Sequence, residues 1–565
     1  MLNIRIGGQA GQGINTIAKF LAKSLLRNGF YVFTSKDYMS RIRGGHNFSD
    51  VRLGSRPLGA AVDKVDILLA LDETTWSIHR EFIQEDGLLL FDEDDFSPET
   101  GPGIKKGLPL KKKAEQFGDK RIAGVIALGL IHRALGIWPE VLQDLLAEKF
   151  KGSILEQNLE GLSWGHKMGE DYFSPDDGHA PDESMLISGN DALGLGAVAA
   201  GVQFYSAYPM TPATGIMNFL AGQAQKFNIL VEQAEDEIAA INMALGAAYG
   251  GVRAMTGTSG GGFSLMVEGL GLAGMTETPL VIVNGQRPGP ATGLPTRTEQ
   301  GDLEFVIHAS QGEFPRIVLA PRQPRDAFYQ AVRAFNLADE YQVPVIVMSD
   351  QFLADSEQTI EELSLSADQF SRGKLIKDHQ DQEPYLRYKI TDDGISPRLI
   401  PGEEGQVVLA DSDEHNQAGN IIEDGATRRQ MMEKRMKRLE IIKENLEPPL
   451  YHGAEPEEAQ FILVSWGSTY GPLEEARLKL EKEGLQLGHY SFQDLWPLPP
   501  GKWQEILNRV PWVLVENNYT GQLGSVLSTE GIKSPQALIN KYDGRPFKVE
   551  ELQQAITREV NPHGQ

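Results

Sequence analysis

The sequence predicts an α/β protein with three α/β domains. Three observations carry that expectation. Apolar runs of strand length alternate with helix-length segments along most of the 565 residues. Glycine-rich turns follow strand runs directly, as in GGQAGQG (7–13) and TGTSGGG (256–262). The strand runs of the middle third are nearly continuous in apolar residues and are separated by helical segments, as expected of a parallel sheet covered on both faces.

Taken in order, LNIRI (2–6) reads as a first strand, GGQAGQG as a turn, and INTIAKFLAKSLLRNG as an amphipathic helix. A strand, a glycine loop and a helix N-terminus together favour an anion, because unpaired backbone N–H groups face it. The spacing is G-x-x-G-x-G rather than the dinucleotide G-x-G-x-x-G, and the next strand, YVFTS, lacks the acidic residue a ribose requires. The loop is therefore expected to meet a different phosphate or a partner. DILLALD (66–72) and GLLLFD (87–92) are buried strands and AGVIALGLIHRALGI (123–137) is a helix, giving a first domain over 1–160. Residues 161–184, polar and rich in glycine, proline and acids, read as a linker. The second domain, 185–356, holds the strands ILVEQ, VRAMTGTS, PLVIVNGQ, RIVLAP and VPVIVMSD. Residues 357–455 form a weakly patterned connecting segment with one charged helix, ATRRQMMEKRMKRLEIIKENL (426–446), read as a solvated or packing helix. The third domain, 456–565, resumes the alternation with FILVSWGSTYG and WVLVENNYTGQLGSVL.

Composition narrows the function. A net charge of −25 argues against nucleic acid or an anionic membrane as partner. The chain has no cysteine, so it holds no disulfide, no thiolate-ligated zinc or iron–sulfur cluster, and no thiol nucleophile. Its eleven histidines show no H-E-x-x-H or comparable spacing, and no metal site is assigned. No apolar run reaches membrane-spanning length, and MLNIRIGG lacks the regions of a signal peptide; the cytoplasm is the expected location.

Chemistry-bearing residues cluster in the second domain. In YPMTPAT (208–214), Pro209 and Pro212 bracket Thr211 and hold Tyr208 and Thr211 in fixed directions. The plain reading is a rigid turn. Glu235, Asp236 and Glu237 open a helix otherwise made of small and apolar residues. Acids in a first turn suit the helix dipole, but a carboxylate at the mouth of a buried helix is also desolvated and fit for proton transfer. Thr258 and Ser259 begin a glycine loop that opens another helix, a turn friendly to an anion or a cofactor. Arg287 and Arg297 lie on the loop NGQRPGPATGLPTRTEQGDL (284–303). Singly each reads as a surface charge; as a pair beside a strand end they look like carboxylate receptors.

YPMTPAT, EDEIAAINMALGAA, TGTSGGGFSLM and NGQRPGPATGLPTRTEQGDL together resemble the α part of the 2-oxoacid:ferredoxin oxidoreductases, which use thiamine diphosphate. The head, GGQAGQGI…SRIRGGHNF, resembles that family's γ part, and the tail, VSWGSTYGPLEEA…VENNYTGQL, its transketolase-C-like domain. The fused γ–α order is similar to that of the 2-oxoglutarate-type members, or 2-oxoglutarate synthases. The resemblance implies a γ-type domain, a pyrimidine-binding domain and a transketolase-C-like domain. It assigns Glu237 to the N1′ nitrogen of the aminopyrimidine, because Gly246 stands nine positions on. It assigns Thr211 and Arg287 to the 2-oxoacid, and Arg297 to the distal carboxylate of 2-oxoglutarate. Tyr208, Pro209, Thr258 and Ser259 become cofactor contacts. The chain contains EDG, DDG and YDG but not the G-D-G diphosphate motif of related enzymes. A β subunit is therefore expected to supply Mg2+, the rest of the thiamine diphosphate site and a 4Fe-4S cluster, in an (αβ)2 assembly. The implied reaction joins 2-oxoacid, CoA and oxidised ferredoxin to give acyl-CoA, CO2 and reduced ferredoxin; direction is left open. Rival readings are a broad-specificity or pyruvate-type member, a non-redox transketolase-like half and a non-catalytic scaffold. A nucleotide-dependent ligase is a further rival, against which the P-loop signature is missing.

Overall fold

The computed structural model describes residues 1–40, 45–98, 100–376, 384–402 and 406–560. Part of the expected RIRGGHN element, residues 41–44, lies outside them. The chain divides into two compact units. One comprises Met1–Ile187 with Asp355–Glu362 and Lys548–Leu552; the other comprises Ser188–Ala354, Leu363–Phe547 and Gln553–Gln565.

The first unit is built on an eight-stranded mixed sheet. Leu2–Gln9 lies near its centre, parallel to Val65–Ala70 and antiparallel to His46–Gly54. Ile4 and Ile6 are fully buried with Leu21 and Leu25 of the helix Ile14–Arg27, which explains the amphipathic pattern of that helix. The turn between them uses Gly11 and Gly13 at φ of 96° and 85°. Glu357–Ile360 returns to this sheet, antiparallel to Tyr31–Asp37, so the start of the expected connecting segment is a strand of the first unit.

The segment read as a linker is helical through its first eight residues, as part of Gly152–Met168. The glycines suggesting a linker serve helix packing instead. A Cβ on Gly165 would stand 2.1 Å from the Ile126 carbonyl oxygen, and one on Gly129 would stand 2.4 Å from that of Leu162. Glycine at these positions lets Gly152–Met168 press against Ala123–Ala134.

The second unit contains a seven-stranded sheet. Its adjacent strands run Asp494–Trp496, Ile317–Leu319, Pro344–Asp350, Leu280–Gln286, Arg253–Thr258, Val202–Ala207 and Leu230–Gln233. All neighbours pair parallel except the edge strand Asp494–Trp496. A five-stranded sheet, including Phe461–Trp466 and Trp512–Glu516, belongs to the same unit. One continuous apolar core joins the two sheets, running from Ile241, Phe263 and Ile282 to Trp466, Phe492 and Leu514.

The helix Gly425–Asn445 packs rather than floats. Lys434, Arg435 and Arg438 are all buried. The Lys434 ammonium donates to both oxygens of Glu277 at 2.9 and 2.7 Å, and Arg438 donates to the carbonyls of Tyr341 and Gln342.

Candidate active site

Parallel strands expose the same end of each strand along one edge of a sheet, and the loops leaving that edge are where open α/β sheets bind ligands. Four adjacent strands of the second unit place the sequence candidates there. The turn 208–213 follows Val202–Ala207, the Glu237 helix follows Leu230–Gln233, Ser259 follows Arg253–Thr258, and Arg287 follows Leu280–Gln286.

The proline turn is wedged against its neighbours. A Cβ on Gly285 would lie 3.0 Å from the Pro212 ring, and Asn190 Nδ2 donates to the Pro212 carbonyl at 2.9 Å. Thr211 is thereby held beside Arg287, whose Nη1 donates to the Thr211 carbonyl at 2.8 Å. Tyr208 is exposed and Pro209 half-buried.

Of the three consecutive acids, Glu235 and Asp236 are exposed and Glu237 is 3% exposed. Asp236 caps the helix Glu237–Tyr249, its carboxylate accepting from the Ala239 N–H at 2.7 Å. Glu237 Oε1 is buried and has no hydrogen-bond partner among the described residues. It faces Gly262 on the first turn of Gly260–Met275. A Cβ there would stand 2.4 Å from Glu237 Oε1 and 2.1 Å from Thr258 Oγ1. Thr258 in turn lies 3.8 Å from the Met210 sulfur of the proline turn. Ser259, fully buried, leaves its hydroxyl without a partner among the described residues at the start of the same helix. Gly246 is exposed, with open space where a Cβ would stand.

Arg287 connects this cluster to a set of acids that the sequence reading did not use. Burial draws its pKa below the ordinary guanidinium value, and the Asp302 carboxylate opposes that shift. Asp302 accepts from Asn284 Nδ2 at 3.1 Å, and burial raises its pKa. Glu299, raised to about 7 by burial and then by the Asp302 charge, adjoins it. The segment TEQGD (298–302) carried the signal, two acids within a loop of arginines, but acids there contradict a site read only as an anion receptor. Arg297 sits at the far end of the loop, half-buried, with its Cβ and Cγ against the turn at Gly544.

Residues 195–435 match the family model described as pyruvate flavodoxin/ferredoxin oxidoreductase, thiamine diphosphate-binding, and residues 3–168 match pyruvate ferredoxin/flavodoxin oxidoreductase. The alpha subunit of a 2-oxoacid:ferredoxin oxidoreductase from a Sulfolobus species is 33% identical over 98% of this chain and 96% of its own. The chain belongs to the 2-oxoacid:ferredoxin oxidoreductases as an alpha subunit. This oxidoreductase subunit is also similar to the 2-oxoglutarate oxidoreductase subunit KorA of Mycobacterium tuberculosis, at 30% identity over 97% of this chain and 90% of that one. Among solved structures, it resembles the 2-oxoglutarate:ferredoxin oxidoreductase of Magnetococcus marinus with 2-oxoglutarate, coenzyme A and succinyl-CoA bound. That match has a TM-score of 0.92 at 33% identity and covers 99% of both chains. Among the described residues, no helix of this oxidoreductase subunit is long and apolar enough to cross a membrane.

Proposed function

We propose that this alpha subunit supplies the aminopyrimidine side and the substrate clamp of a thiamine diphosphate-dependent oxidoreductase that converts 2-oxoglutarate and CoA to succinyl-CoA and CO2, with ferredoxin as electron acceptor. The carrying observation is the orphaned, buried Oε1 of Glu237 beside the close-packed Gly262. A buried carboxyl oxygen without a partner is costly unless a ligand completes it, and a ring nitrogen of the aminopyrimidine supplies that partner. The residues therefore fit the cofactor. Bound thiamine diphosphate supplies a nucleophilic carbon and a sink for the electrons released when CO2 leaves. The protein's part is to hold or share a proton at N1′ through Glu237. Ser259 and Thr258 border the same position, with Tyr208 and Pro209 on the adjoining turn.

Thr211 and Arg287 act on the 2-oxoacid. The Arg287 guanidinium spends one N–H on the Thr211 carbonyl, which fixes the direction of its remaining donors toward a carboxylate. Arg297 receives the distal carboxylate. The 2-oxoglutarate preference rests on the substrate names of the Mycobacterium and Magnetococcus relatives and on this second arginine.

The β partner supplies Mg2+, the diphosphate contacts and the 4Fe-4S cluster in an (αβ)2 assembly. Two features support that division. The chain has no thiolate to hold a cluster, and the Glu237 helix exposes large apolar side chains around Asn242. Ile238 is 50% and Met243 39% exposed, and Leu265 of the next helix is 49% exposed. Apolar side chains grouped beside a catalytic carboxyl suit a subunit boundary. The deciding experiment measures acyl-CoA formation by the assembled subunits across several 2-oxoacids with ferredoxin. Turnover of 2-oxoglutarate above the others supports the assignment. Preference for pyruvate would overturn its substrate part, and ferredoxin-independent turnover would overturn its redox part.

A further inference from the structure

The loop that follows the strand Leu280–Gln286 starts at Arg287 and returns at the helix Leu303–His308. Its outward part, 289–294, is exposed, while Thr298 and Gln300 on the return are 1% and 0% exposed. Five hydrogen bonds join Gln300 to residues far along the chain. Its N–H donates to the Asn517 carbonyl at 2.7 Å, and its carbonyl accepts from Asn518 Nδ2 at 3.0 Å. Its Oε1 accepts from the Thr469 hydroxyl at 2.8 Å and the Asn517 N–H at 3.2 Å, and its Nε2 donates to the Trp466 carbonyl at 3.0 Å.

These partners lie at one place on the five-stranded sheet. Trp466 ends the strand Phe461–Trp466, and Asn517 follows the end of Trp512–Glu516. The two strands are parallel neighbours. From the first the chain goes on to Leu487–Phe492 on one side, and from the second to Ala537–Asn540 on the other. Open α/β sheets take their ligands at the carboxyl ends of neighbouring strands whose connections diverge in this way. Gln300, a residue of the substrate loop, occupies that position. Asn518 is itself held there, donating to Glu516 and accepting from the Gly521 N–H at 2.8 Å.

The same region supports the chain around Arg297. The Thr298 N–H donates to the Gly544 carbonyl at 3.3 Å, and a Cβ on Gly544 would stand 3.2 Å from the Arg297 Cβ. Asn517 links the two anchors. Its Nδ2 donates to the Lys541 carbonyl at 2.9 Å and to the Arg545 carbonyl at 3.3 Å, on either side of Gly544. Arg287 is fixed separately, by the Thr211 carbonyl. Buried polar groups paired like those of Gln300 add little net stability but specify one arrangement, because any other leaves them unpaired.

Resting on the Arg297 reading above, we propose that Gln300 is a positioning residue for the distal-carboxylate contact. It docks the substrate loop between the two strand ends of the five-stranded sheet, and the docked loop presents Arg297 to a dicarboxylic 2-oxoacid. A monocarboxylic 2-oxoacid, which needs Arg287 alone, is indifferent to the docking.

The test is steady-state kinetics of the assembled αβ complex with 2-oxoglutarate and 2-oxobutyrate. Gln300→Ala removes the three side-chain bonds. It should raise KM for 2-oxoglutarate about tenfold, as for a contact formed in about a tenth of the molecules. kcat and the KM for 2-oxobutyrate should stay near native. Because Gln300 acts through Arg297, the double variant Arg297→Ala/Gln300→Ala should be no worse on 2-oxoglutarate than Arg297→Ala alone. Additive losses would mean general damage and overturn the proposal, as would equal KM changes on the two substrates or none. Should Gln300→Ala fail to assemble, Thr469→Val decides, since it keeps the side-chain shape and removes one bond to Gln300. One such bond is worth about 2- to 12-fold, so the ratio of KM for 2-oxoglutarate to KM for 2-oxobutyrate should rise in that range, and an unchanged ratio sinks the proposal. If Arg297→Ala raises both KM values equally, the distal-carboxylate reading fails and this role with it. If Arg297→Ala is selective and Gln300→Ala is not, the positioning role alone fails.

Discussion

The Arg287 guanidinium donates to the Thr211 carbonyl across 76 positions of sequence, at 2.8 Å. Because the acceptor is a backbone oxygen, Thr211→Ala leaves the bond intact, whereas Arg287→Ala removes both the bond and the cation. Every 2-oxoacid carries a carboxylate beside its keto group, so Arg287→Ala should raise KM for all of them. A charge-assisted hydrogen bond is worth roughly 1.5–3 kcal/mol, or about 10- to 150-fold. Arg297→Ala should raise KM by that order for 2-oxoglutarate and much less for 2-oxobutyrate. Steady-state kinetics on both substrates separate the two arginines. Equal losses for Arg297→Ala would move the distal contact elsewhere.

Glu237→Gln keeps the size of the side chain but cannot exchange a proton with N1′. General acid–base steps contribute about 10²- to 10⁴-fold, and turnover should fall by that order while the complex still assembles. Hydrogen–deuterium exchange at the thiazolium carbon of bound cofactor reports the step directly. Glu235→Gln should leave it near the native rate, since Glu235 is exposed. Asp236→Ala should instead cost stability, about 0.5–2 kcal/mol for a lost N-cap, read from a thermal melt. If Glu235→Gln stops the exchange and Glu237→Gln does not, the assignment within the triplet is wrong.

Gly262 separates the Thr258 hydroxyl from the Glu237 carboxyl with no room for a side chain. Gly262→Ala inserts a methyl group where both oxygens stand. Overpacking of this kind costs about 1–3 kcal/mol, and here it displaces the carboxyl oxygen proposed to meet the cofactor. We expect the fold to survive, thiamine diphosphate affinity to drop and turnover to drop further. Titration of the assembled apoenzyme with cofactor measures the first effect. Native affinity in Gly262→Ala would show that Glu237 need not stay where the structure holds it.

Glu277 is fully buried at φ 50° with Lys434 and Arg438. Burial alone would raise its pKa, but Arg438, Lys434 and Arg387 hold it down to about 2. Its folded value thus lies below its free value, so its stabilisation is present above about pH 4.5 and is lost as pH falls toward 2. Glu277→Gln leaves two buried cations without their carboxylate, a loss of about 3–5 kcal/mol. Thermal melts should show a lower Tm for Glu277→Gln at pH 7, with the gap narrowing as the native protein is acidified. A constant gap from pH 7 to pH 3 would remove the ion cluster as the cause.

What the sequence revealed, and what it hid, follows from how far each signal travels along the chain. The strands PLVIVNGQ and VPVIVMSD were legible because continuous apolar runs are local. The rigid turn around Thr211 was legible because proline acts on its own neighbours. Gly165 misled because its reason, the Ile126 carbonyl, lies 39 residues away. The charged helix 426–446 reads as solvated or packing for the same cause: what decides for packing, the carbonyls of Tyr341 and Gln342 beneath Arg438, lies far away in sequence. Glu299 and Asp302 were passed over because their proton affinities depend on burial by segments far away in sequence. The glycine run 260–262 does not show in sequence which member is tight; the positions of Thr258 and Glu237 make it Gly262.

The Glu237 helix buries Ala240, Ile241, Ala244 and Leu245 on one side and presents Ile238, Met243 and Gly246 on the other. Nothing among the described residues requires glycine at 246, since a Cβ there meets open space. In the isolated subunit Gly246→Ala should be neutral or stabilising, by up to about 1 kcal/mol from helix propensity. If a second chain lies against this face, the same methyl group should weaken the complex, and Met243→Glu should weaken it more by placing a charge in the boundary. The isolated subunit should be colourless, because it has no thiolates for a cluster. Iron absorption and thiamine diphosphate binding should appear together on adding the β chain. Sedimentation velocity with the absorption spectrum of each species tests both points at once. Met243→Glu should leave the subunit folded, unassembled and colourless. A subunit that is brown alone would refute the division of labour. Full assembly of Met243→Glu would move the boundary to another face.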